Sequence, residues 1–292
     1  MTANVTVVGL GPMGATMAET FLASKHPTTV WNRTASKADP LVAKGATKAA
    51  TIADALAASE LVVISQIDYQ AMYDSLGPAV DALKGRVLVN LSSGSPEELR
   101  KASEWASEHG AVLVTGGIMA PPPGIGKPGS YVFYSGPESA LDCHGETLKV
   151  LGDVTYVGDD PGLAMLYYQA QLFLFWSTLS SYMHSVALLE TAGVSARDFL
   201  PFAARLVREL AEEGPMAFLH ILTDEIEAGD FPGDLNSLKM QAVGAAHVVE
   251  ASRDAGIDTA YPAALRDLFE RAVAAGHGAD GLGSVIEALR KP

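Results

Sequence analysis

Short apolar runs in the first half of this chain alternate with longer segments of helical periodicity. The runs, at residues 4–8, 28–31, 61–65, 87–90, 111–114 and 131–134, are rich in β-branched residues, as is typical of buried parallel strands. Good helix formers occupy the intervening segments at 15–22, 52–58, 69–83 and 96–109. This alternation predicts an α/β fold with a doubly wound parallel sheet, of the Rossmann type.

Beyond residue 160 the pattern becomes helical throughout. Apolar helical periodicity covers residues 196–210, 216–228, 235–255 and 260–274, with Gly or Pro between the segments. We therefore expect two domains, a Rossmann domain at 1–160 and an all-helical domain at 161–292.

The helical half begins with a long uncharged run, residues 162–189, which contains no Asp, Glu, Lys or Arg. Its length requires a test as a membrane span. The run is interrupted by polar side chains that hydrocarbon would penalise, namely Gln169, Gln171, Ser177, Thr178, Ser180, Ser181 and His184. We expect instead a long interdomain helix enclosed by protein on most sides. A helical domain entered in this way is too exposed alone, which predicts an intertwined homodimer.

Composition narrows the class of protein further. The net charge of −14 argues against nucleic acid or an anionic membrane as a partner and favours cationic small molecules. Cys143 is the only cysteine, so no intrachain disulfide can form, and no Cys/His cluster has zinc spacing. No signal peptide is recognised at the N-terminus. We expect a cytoplasmic protein with a metal-free site.

A glycine-rich turn follows the first predicted strand and opens the first predicted helix. It reads Gly9-x-Gly11-x-x-Gly14, with Leu10, Pro12 and Met13 between the glycines. In dinucleotide-binding folds the first glycine permits the bend, the second lets backbone N–H groups approach a pyrophosphate, and the third allows close helix packing. The alternative is a turn in which the glycines only shape the backbone.

The end of the second predicted strand indicates which dinucleotide binds. An NAD enzyme normally carries an acidic residue there to accept hydrogen bonds from the ribose 2′-hydroxyl. This chain has Asn32, Arg33 and Thr34, followed by Lys37, which offer donors and positive charge to a 2′-phosphate. The sequence therefore predicts NADPH/NADP+, although Arg33 read alone could be a solvated charge, as we expect for Lys44 and Lys48.

Loops after the other strands should complete the cofactor cleft, because ligands of doubly wound sheets lie at the carboxyl ends of the strands. The loop residues expected there are Ser65, Gln66, Ile67, Asn90, Ser92 and Ser93. Residues 116–129 are rich in Gly and Pro, so we expect an irregular, semi-rigid loop that walls a pocket, with a linker as the alternative that the composition also fits.

Together these residues resemble the β-hydroxyacid dehydrogenase and 6-phosphogluconate dehydrogenase superfamily, and within it the imine reductases. The similarity spans the chain. On the interdomain helix the superfamily's catalytic lysine falls on Tyr168, and its asparagine four residues later falls on Leu172. The resemblance implies a tyrosine-type imine reductase, because a lysine would repel a protonated imine whereas a neutral phenol can still donate a hydrogen bond.

The resemblance implies an enzyme that reduces cyclic imines or iminium ions with NADPH, with Tyr168 as the catalytic residue. Without it, Tyr168 would be read as a packing residue. The implied substrate pocket consists of Ser93, Met119, Leu172, Trp176 and, from the facing subunit, Met240. Two alternatives stay open: a carbonyl or hydroxyacid reductase that uses tyrosine as the oxyanion donor, and an NADPH-binding sensor without chemistry.

Overall fold

The computed structural model describes residues 2–290. By packing, the chain divides into two compact units, one that extends to Leu174 and one that starts at Phe175. That division lies inside a helix, so the domain boundary at residue 160 stays a prediction.

An eight-stranded sheet forms the centre of the first unit. Six strands are parallel to one another, and the last two run antiparallel to them. The strands are Val5–Val8 (β1), Thr28–Trp31 (β2), Thr47–Lys48 (β3), Leu61–Ile64 (β4), Val87–Asn90 (β5), Val112–Ile118 (β6), Tyr131–Ser135 (β7) and Asp153–Tyr156 (β8). Their order is β3-β2-β1-β4-β5-β6-β7-β8. The predicted doubly wound fold is confirmed.

Six helices flank this sheet. They are Pro12–Ala23 (α1), Asp39–Val42 (α2), Ile52–Ala58 (α3), Tyr69–Leu76 (α4), Pro96–Glu108 (α5) and Glu138–Leu148 (α6). The strand residues alternate between two hydrophobic cores because successive side chains of a strand point to opposite faces. Val5 and Val7 pack with Phe21 of α1 on one face, whereas Val8 packs with Leu56 of α3 on the other.

The remaining helices are Leu163–Glu190 (α7), Ala196–Ala211 (α8), Phe218–Ala228 (α9), Leu238–Asp254 (α10), Ala260–Ala274 (α11) and Val285–Arg290 (α12). The first turns of α7 belong to the first unit and its remainder to the second. Within the second unit, a small buried cluster of Leu238, Ala272 and Val285 joins α10, α11 and α12. The predicted helical C-terminal half is confirmed.

Several local expectations needed correction. The predicted helix 69–83 is α4 followed by a 3-10 segment, Gly77–Leu83, because Pro78 has no N–H to continue the α-helical ladder. The predicted irregular loop starts too early, since Gly116 and Gly117 lie inside β6 and pair with β7. Five of the strands and helices in residues 2–290 lie outside the predicted ones: β3, β8, α2, α6 and α12. All but α6 have six residues or fewer, which is too short to show a hydrophobic period.

The long helix α7 differs from expectation in its burial. It is the one helix of the described residues that is long and apolar enough to cross a membrane, with a mean hydropathy of 1.3. Within one chain only Ala164 and Met165 of α7 are buried, so a single chain does not enclose the helix. Its polar groups nevertheless have protein partners: Nε2 of His184 lies 2.9 Å from Oγ of Ser252 on α10.

Candidate active site

The loops predicted to bind a cofactor meet at one edge of the sheet. Backbone hydrogen bonds align them: the Gly9 amide donates to the Trp31 carbonyl at 3.0 Å, and the Ser65 amide donates to the Val8 carbonyl at 2.8 Å. The Leu91 amide donates to the carbonyl at the end of β4 at 2.9 Å. The glycine turn after β1 and the loops after β2, β4 and β5 therefore lie side by side.

The glycine turn has one open position between two crowded ones. Gly9 has a φ of +95°, and a Cβ there would overlap the Ser65 carbonyl. A Cβ on Gly14 would overlap the Gly9 carbonyl, so this glycine lets α1 approach the strand. A Cβ on Gly11, in contrast, would meet no atom within 4 Å. This open space fits the approach of a pyrophosphate to the backbone.

The start of α1 suits an anion. Gly11 is the N-cap residue and Pro12 occupies the first turn, with no capping hydrogen bond from a side chain and no acidic residue in that turn. The first amides of the helix are therefore available, and the helix dipole favours negative charge at this end. The residues present fit a dinucleotide phosphate.

The end of β2 divides the predicted phosphate contacts into two groups. The Asn32 side chain binds the protein backbone at both ends. Its Oδ1 accepts from the Leu10 amide at 2.9 Å and its Nδ2 donates to the Thr34 carbonyl at 3.1 Å. Arg33, Thr34 and Lys37 are exposed.

Cationic side chains near this strand end differ in their partners. Lys44 forms an ion pair with Glu19 at 2.6 Å, and Lys48 forms one with Asp39 at 2.8 Å. Among residues 2–290, Arg33 and Lys37 form no ion pair. A free guanidinium at this place is what recognition of a 2′-phosphate requires.

The loops after β4 and β5 are held together by side chains that point into the protein. Oγ of Ser92 accepts from the Gln66 amide at 3.0 Å, and Nε2 of Gln66 donates to Ser75 Oγ at 2.7 Å. Asn90 is fully buried, and its Oδ1 accepts from the Ser92 amide at 2.8 Å. Asn90 and Ser92 therefore shape the loops, and exposed Ile67 and Ser93 are the residues left to contact a ligand.

Tyr168 lies on the first turns of α7, half-buried above β6. A Cβ on Gly117 would lie 2.5 Å from Cβ and 2.9 Å from Cγ of Tyr168, so the glycine provides the space for the ring. Burial raises the pKa of the Tyr168 phenol above its ordinary value. Tyr168 is therefore a neutral hydrogen-bond donor throughout the range from acid to mildly alkaline pH.

Two buried hydroxyl side chains fix the start of α7. Ser135 accepts from the Ala164 amide at 2.9 Å, and Thr115 donates to the Pro161 carbonyl at 2.6 Å. The sequence pattern does not predict this pair, because a single small polar residue in an apolar strand does not indicate which helix it contacts.

An ion pair outside the sheet adds to this attachment. Arg100 binds Asp160 through two hydrogen bonds of 2.9 and 2.8 Å, and these lower the pKa of the Asp160 carboxyl. The bidentate geometry connects α5 to the residues that precede α7.

The remaining predicted pocket residues are distributed over both units. Met119 and Leu172 are half-buried in the first unit. Trp176 and Met240 belong to the second unit and are 58% and 62% exposed. Among the described residues, no group of three His, Cys, Asp or Glu side chains could hold a metal ion.

Comparisons with known proteins agree with this arrangement. Residues 4–158 match the NAD-binding domain of 6-phosphogluconate dehydrogenase, and residues 160–291 match the C-terminal domain of NADPH-dependent reductive aminase-like proteins. The NADPH-dependent reductive aminase of Aspergillus oryzae is 32% identical over 98% of this chain and 97% of its own length.

Solved structures extend the comparison to the whole fold. An imine reductase from Bacillus cereus is 46% identical and covers 99% of both chains with a TM-score of 0.91. A reductive aminase from Aspergillus terreus, solved in complex with NADPH4, cyclohexanone and allyl amine, is 37% identical. It covers 99% of this chain and 100% of its own, with a TM-score of 0.90. The chain therefore belongs to the NADPH-dependent imine reductase and reductive aminase family of oxidoreductases.

Proposed function

We propose that this enzyme reduces cyclic imines and iminium ions to amines, with Tyr168 as the catalytic residue. The observation that carries the proposal is the neutral, half-buried phenol of Tyr168, fixed over Gly117 where the hydroxyacid dehydrogenases that the chain resembles have a lysine. A fixed ammonium would repel a cationic C=N group, whereas a phenol donates a hydrogen bond without adding charge.

NADPH supplies the hydride when it is bound. The glycine turn, from Gly9 to Gly14, would hold the pyrophosphate, and Arg33 with Thr34 and Lys37 would hold the 2′-phosphate. Ser65, Gln66 and Ile67 after β4, with Ser92 and Ser93 after β5, would shape the cleft for the remainder of the cofactor. Asn32 and Asn90 contribute by fixing these loops.

Tyr168 would donate its phenolic proton, or a hydrogen bond, to the imine nitrogen as the neighbouring carbon accepts hydride. Met119 and Leu172 offer apolar surface to a ring, and Trp176 offers an aromatic face to a cation. Reduction of the C=N bond consumes one hydride and one proton in total, so a protonated iminium needs no proton from the protein.

We also propose that the pocket is completed in an intertwined homodimer, with Met240 supplied by the second copy. The support is the apolar surface that α7 and α8 expose in one chain, including Phe173 and Phe202, which are 74% and 70% exposed. A second copy covers this surface better than lipid, because α7 also carries His184 and several serines with hydrogen-bonding partners on protein. We further propose a cytoplasmic location, in keeping with the single cysteine, Cys143, which allows no intrachain disulfide.

A pair of substrates tests the role of Tyr168. 2-Methyl-1-pyrroline needs a proton on nitrogen during reduction, whereas an N-methyl iminium ion is permanently charged and needs none. We expect Tyr168→Phe to lower kcat with the pyrroline by at least about tenfold and with the N-methyl iminium ion by less than about threefold. Tyr167→Phe is the matched control, because Tyr167 is adjacent but 48% exposed.

Equal kcat values for Tyr168→Phe and wild type with the pyrroline would contradict a donor role. A simple ketone and a 2-oxo acid, assayed by NADPH consumption at neutral pH, test the alternatives. Preference for either over the pyrroline would favour the carbonyl reductase, and no consumption with any of them would favour the sensor.

A further inference from the structure

Three side chains in the second and third turns of α7 contact three neighbouring strands or their loops. Tyr168 lies on Gly117 of β6. Nε2 of Gln169 donates to the carbonyl of Gly94, in the loop after β5, at 3.0 Å. The Tyr131 hydroxyl, at the start of β7, donates to Oε1 of Gln171. Because the order in the sheet is β5-β6-β7, the two glutamines attach the helix on either side of Tyr168.

This arrangement determines both the rotation of α7 about its axis and the distance between the Tyr168 side chain and β6. Ser135 and Thr115 fix the start of α7, and the two glutamine hydrogen bonds hold its next turns on either side of Tyr168, where they oppose rotation in either direction. Gly117 determines how closely Tyr168 approaches β6, since a Cβ on this residue would lie 2.5 Å from Cβ of Tyr168. That clash is with the stem of the side chain, so a change of rotamer cannot relieve it.

The loop that receives Gln169 is closely packed at Gly94. A Cβ on Gly94 would lie 2.8 Å from the ring of Tyr69 and 3.0 Å from Leu99, both of which are buried. The Gly94 carbonyl is therefore fixed against packed side chains. A hydrogen bond to this acceptor therefore fixes the position of Gln169, whereas a hydrogen bond to a mobile loop would not.

We propose that Gly117, Gln169 and Gln171 are positioning residues that hold the Tyr168 hydroxyl at the reacting nitrogen. The inference deepens the proposed function and rests on it. None of the three needs to touch the substrate. Each acts through the place and orientation of Tyr168.

Replacement by glutamate at both positions tests the two glutamines, because it should break one hydrogen bond and keep the other. Gln169 donates to a carbonyl, so Gln169→Glu loses its hydrogen bond and places a carboxylate against an oxygen. Gln171 accepts from a hydroxyl, so Gln171→Glu keeps an acceptor for Tyr131. We expect kcat with 2-methyl-1-pyrroline to fall about tenfold in Gln169→Glu and Gln171→Leu, and to stay within about twofold in Gln171→Glu, with little change in the KM for NADPH.

The same substitutions in a Tyr168→Phe background separate positioning from a general structural role. With the hydroxyl removed, Gln169→Glu and Gln171→Leu should change kcat by less than about twofold, because there is no donor left to misplace. Losses that multiply in full with that of Tyr168→Phe would overturn the proposal.

Gly117→Ala tests the contact below the ring, with Gly116→Ala as its control in the same strand. A Cβ on Gly116 would lie 2.5 Å from the terminal Cδ2 of Leu91 and 3.1 Å from the Phe133 carbonyl oxygen, and Tyr168 is not among its nearest neighbours. A Cβ on Gly117 faces the stem of Tyr168. We expect Gly117→Ala to lower kcat at least about tenfold more than Gly116→Ala. Equal losses would overturn the role of Gly117.

Crystal structures of Gln169→Glu and Gln171→Leu give a readout that does not depend on activity. We expect the Tyr168 ring to shift or rotate relative to the backbone of Gly117. An unchanged ring in both variants would overturn the positioning role even if kcat falls. If instead Tyr168→Phe leaves kcat unchanged while the ring moves in these variants, the donor role fails and the positioning of Tyr168 stands.

Discussion

The two units of this chain differ in how much of their apolar surface a single chain can bury. In the first unit both faces of the sheet are covered, and large side chains such as Met17, Phe21 and Leu88 have no exposed surface. In the second unit the helices α8 and α9 contain no buried residue among those described, and the buried cluster of α10 to α12 is small.

The difference shows that the two units depend on different sources of stability. A doubly wound sheet completes its hydrophobic core with helices from the same chain. Helix α8 has an apolar side and a charged side, and its apolar side chains Phe202 and Leu206 are exposed. The first unit therefore forms its core within one chain, whereas the apolar side of α8 stays exposed in one chain, which supports the homodimer proposed above.

The largest expected effect comes from a change in the core of the first unit. Phe21 is fully buried between α1 and the sheet, so Phe21→Ala leaves a cavity and should lower the free energy of unfolding by about 3–5 kcal/mol. The measurement is urea unfolding followed by tryptophan fluorescence. It should be made in a Trp176→Phe background, so that only Trp31 and Trp105 of the first unit contribute.

Ile67→Ala serves as the control for that measurement. Ile67 is 84% exposed in the same unit, so its truncation should change the free energy of unfolding by less than about 0.5 kcal/mol. A loss below about 1 kcal/mol in Phe21→Ala would mean that the first unit is less completely packed than its burial indicates.

The next largest effect should appear in the assembly of the second unit. Phe202→Glu places a charge on the apolar side of α8, and we expect it to weaken dimer association by at least about thirtyfold, as for a residue at the centre of an interface. Light scattering at micromolar concentration would then give a monomer mass for the variant and a dimer mass for the parent.

Val42→Glu provides the comparison from the first unit. Val42 is also exposed, at 43%, but as a single apolar residue on a short helix, so its replacement should leave the dimer unchanged. If Phe202→Glu stays dimeric, or if the parent is itself monomeric, then the exposed side of α8 has another function.

The sequence predicted the first unit better than the details of the site, for a physical reason. Apolar β-branched runs and capped helices are local signals, and the Thr51 and Ser95 capping boxes begin α3 and α5 where the pattern predicts helices. The strand-end loops were predictable because parallel strands end at one edge of the sheet.

The contacts that hold α7, and with it Tyr168, against the sheet could not be predicted in the same way. They join residues far apart along the chain, such as Tyr131 with Gln171, and depend on which side of a helix faces which strand. The glutamines were visible only as polar interruptions in an apolar run. The Gly and Pro content of residues 116–129 predicts a loop that includes Gly117, whereas the structure places Gly117 inside β6.

The smallest of the expected effects concerns cofactor choice, which the first unit should control by itself. Arg33 is exposed and has no ion pair among residues 2–290, whereas Lys48 binds Asp39 at 2.8 Å. We expect Arg33→Ala to raise the KM for NADPH by about tenfold, as for the loss of an exposed charged hydrogen bond, while the KM for NADH changes little. Lys48→Ala should change neither value by more than about twofold, because its charge is already neutralised and solvated.

Both variants should keep the oligomeric state of the parent. A KM for NADPH that is equally insensitive to both substitutions would place recognition of the 2′-phosphate elsewhere, with Lys37 and Thr34 as the next residues to replace.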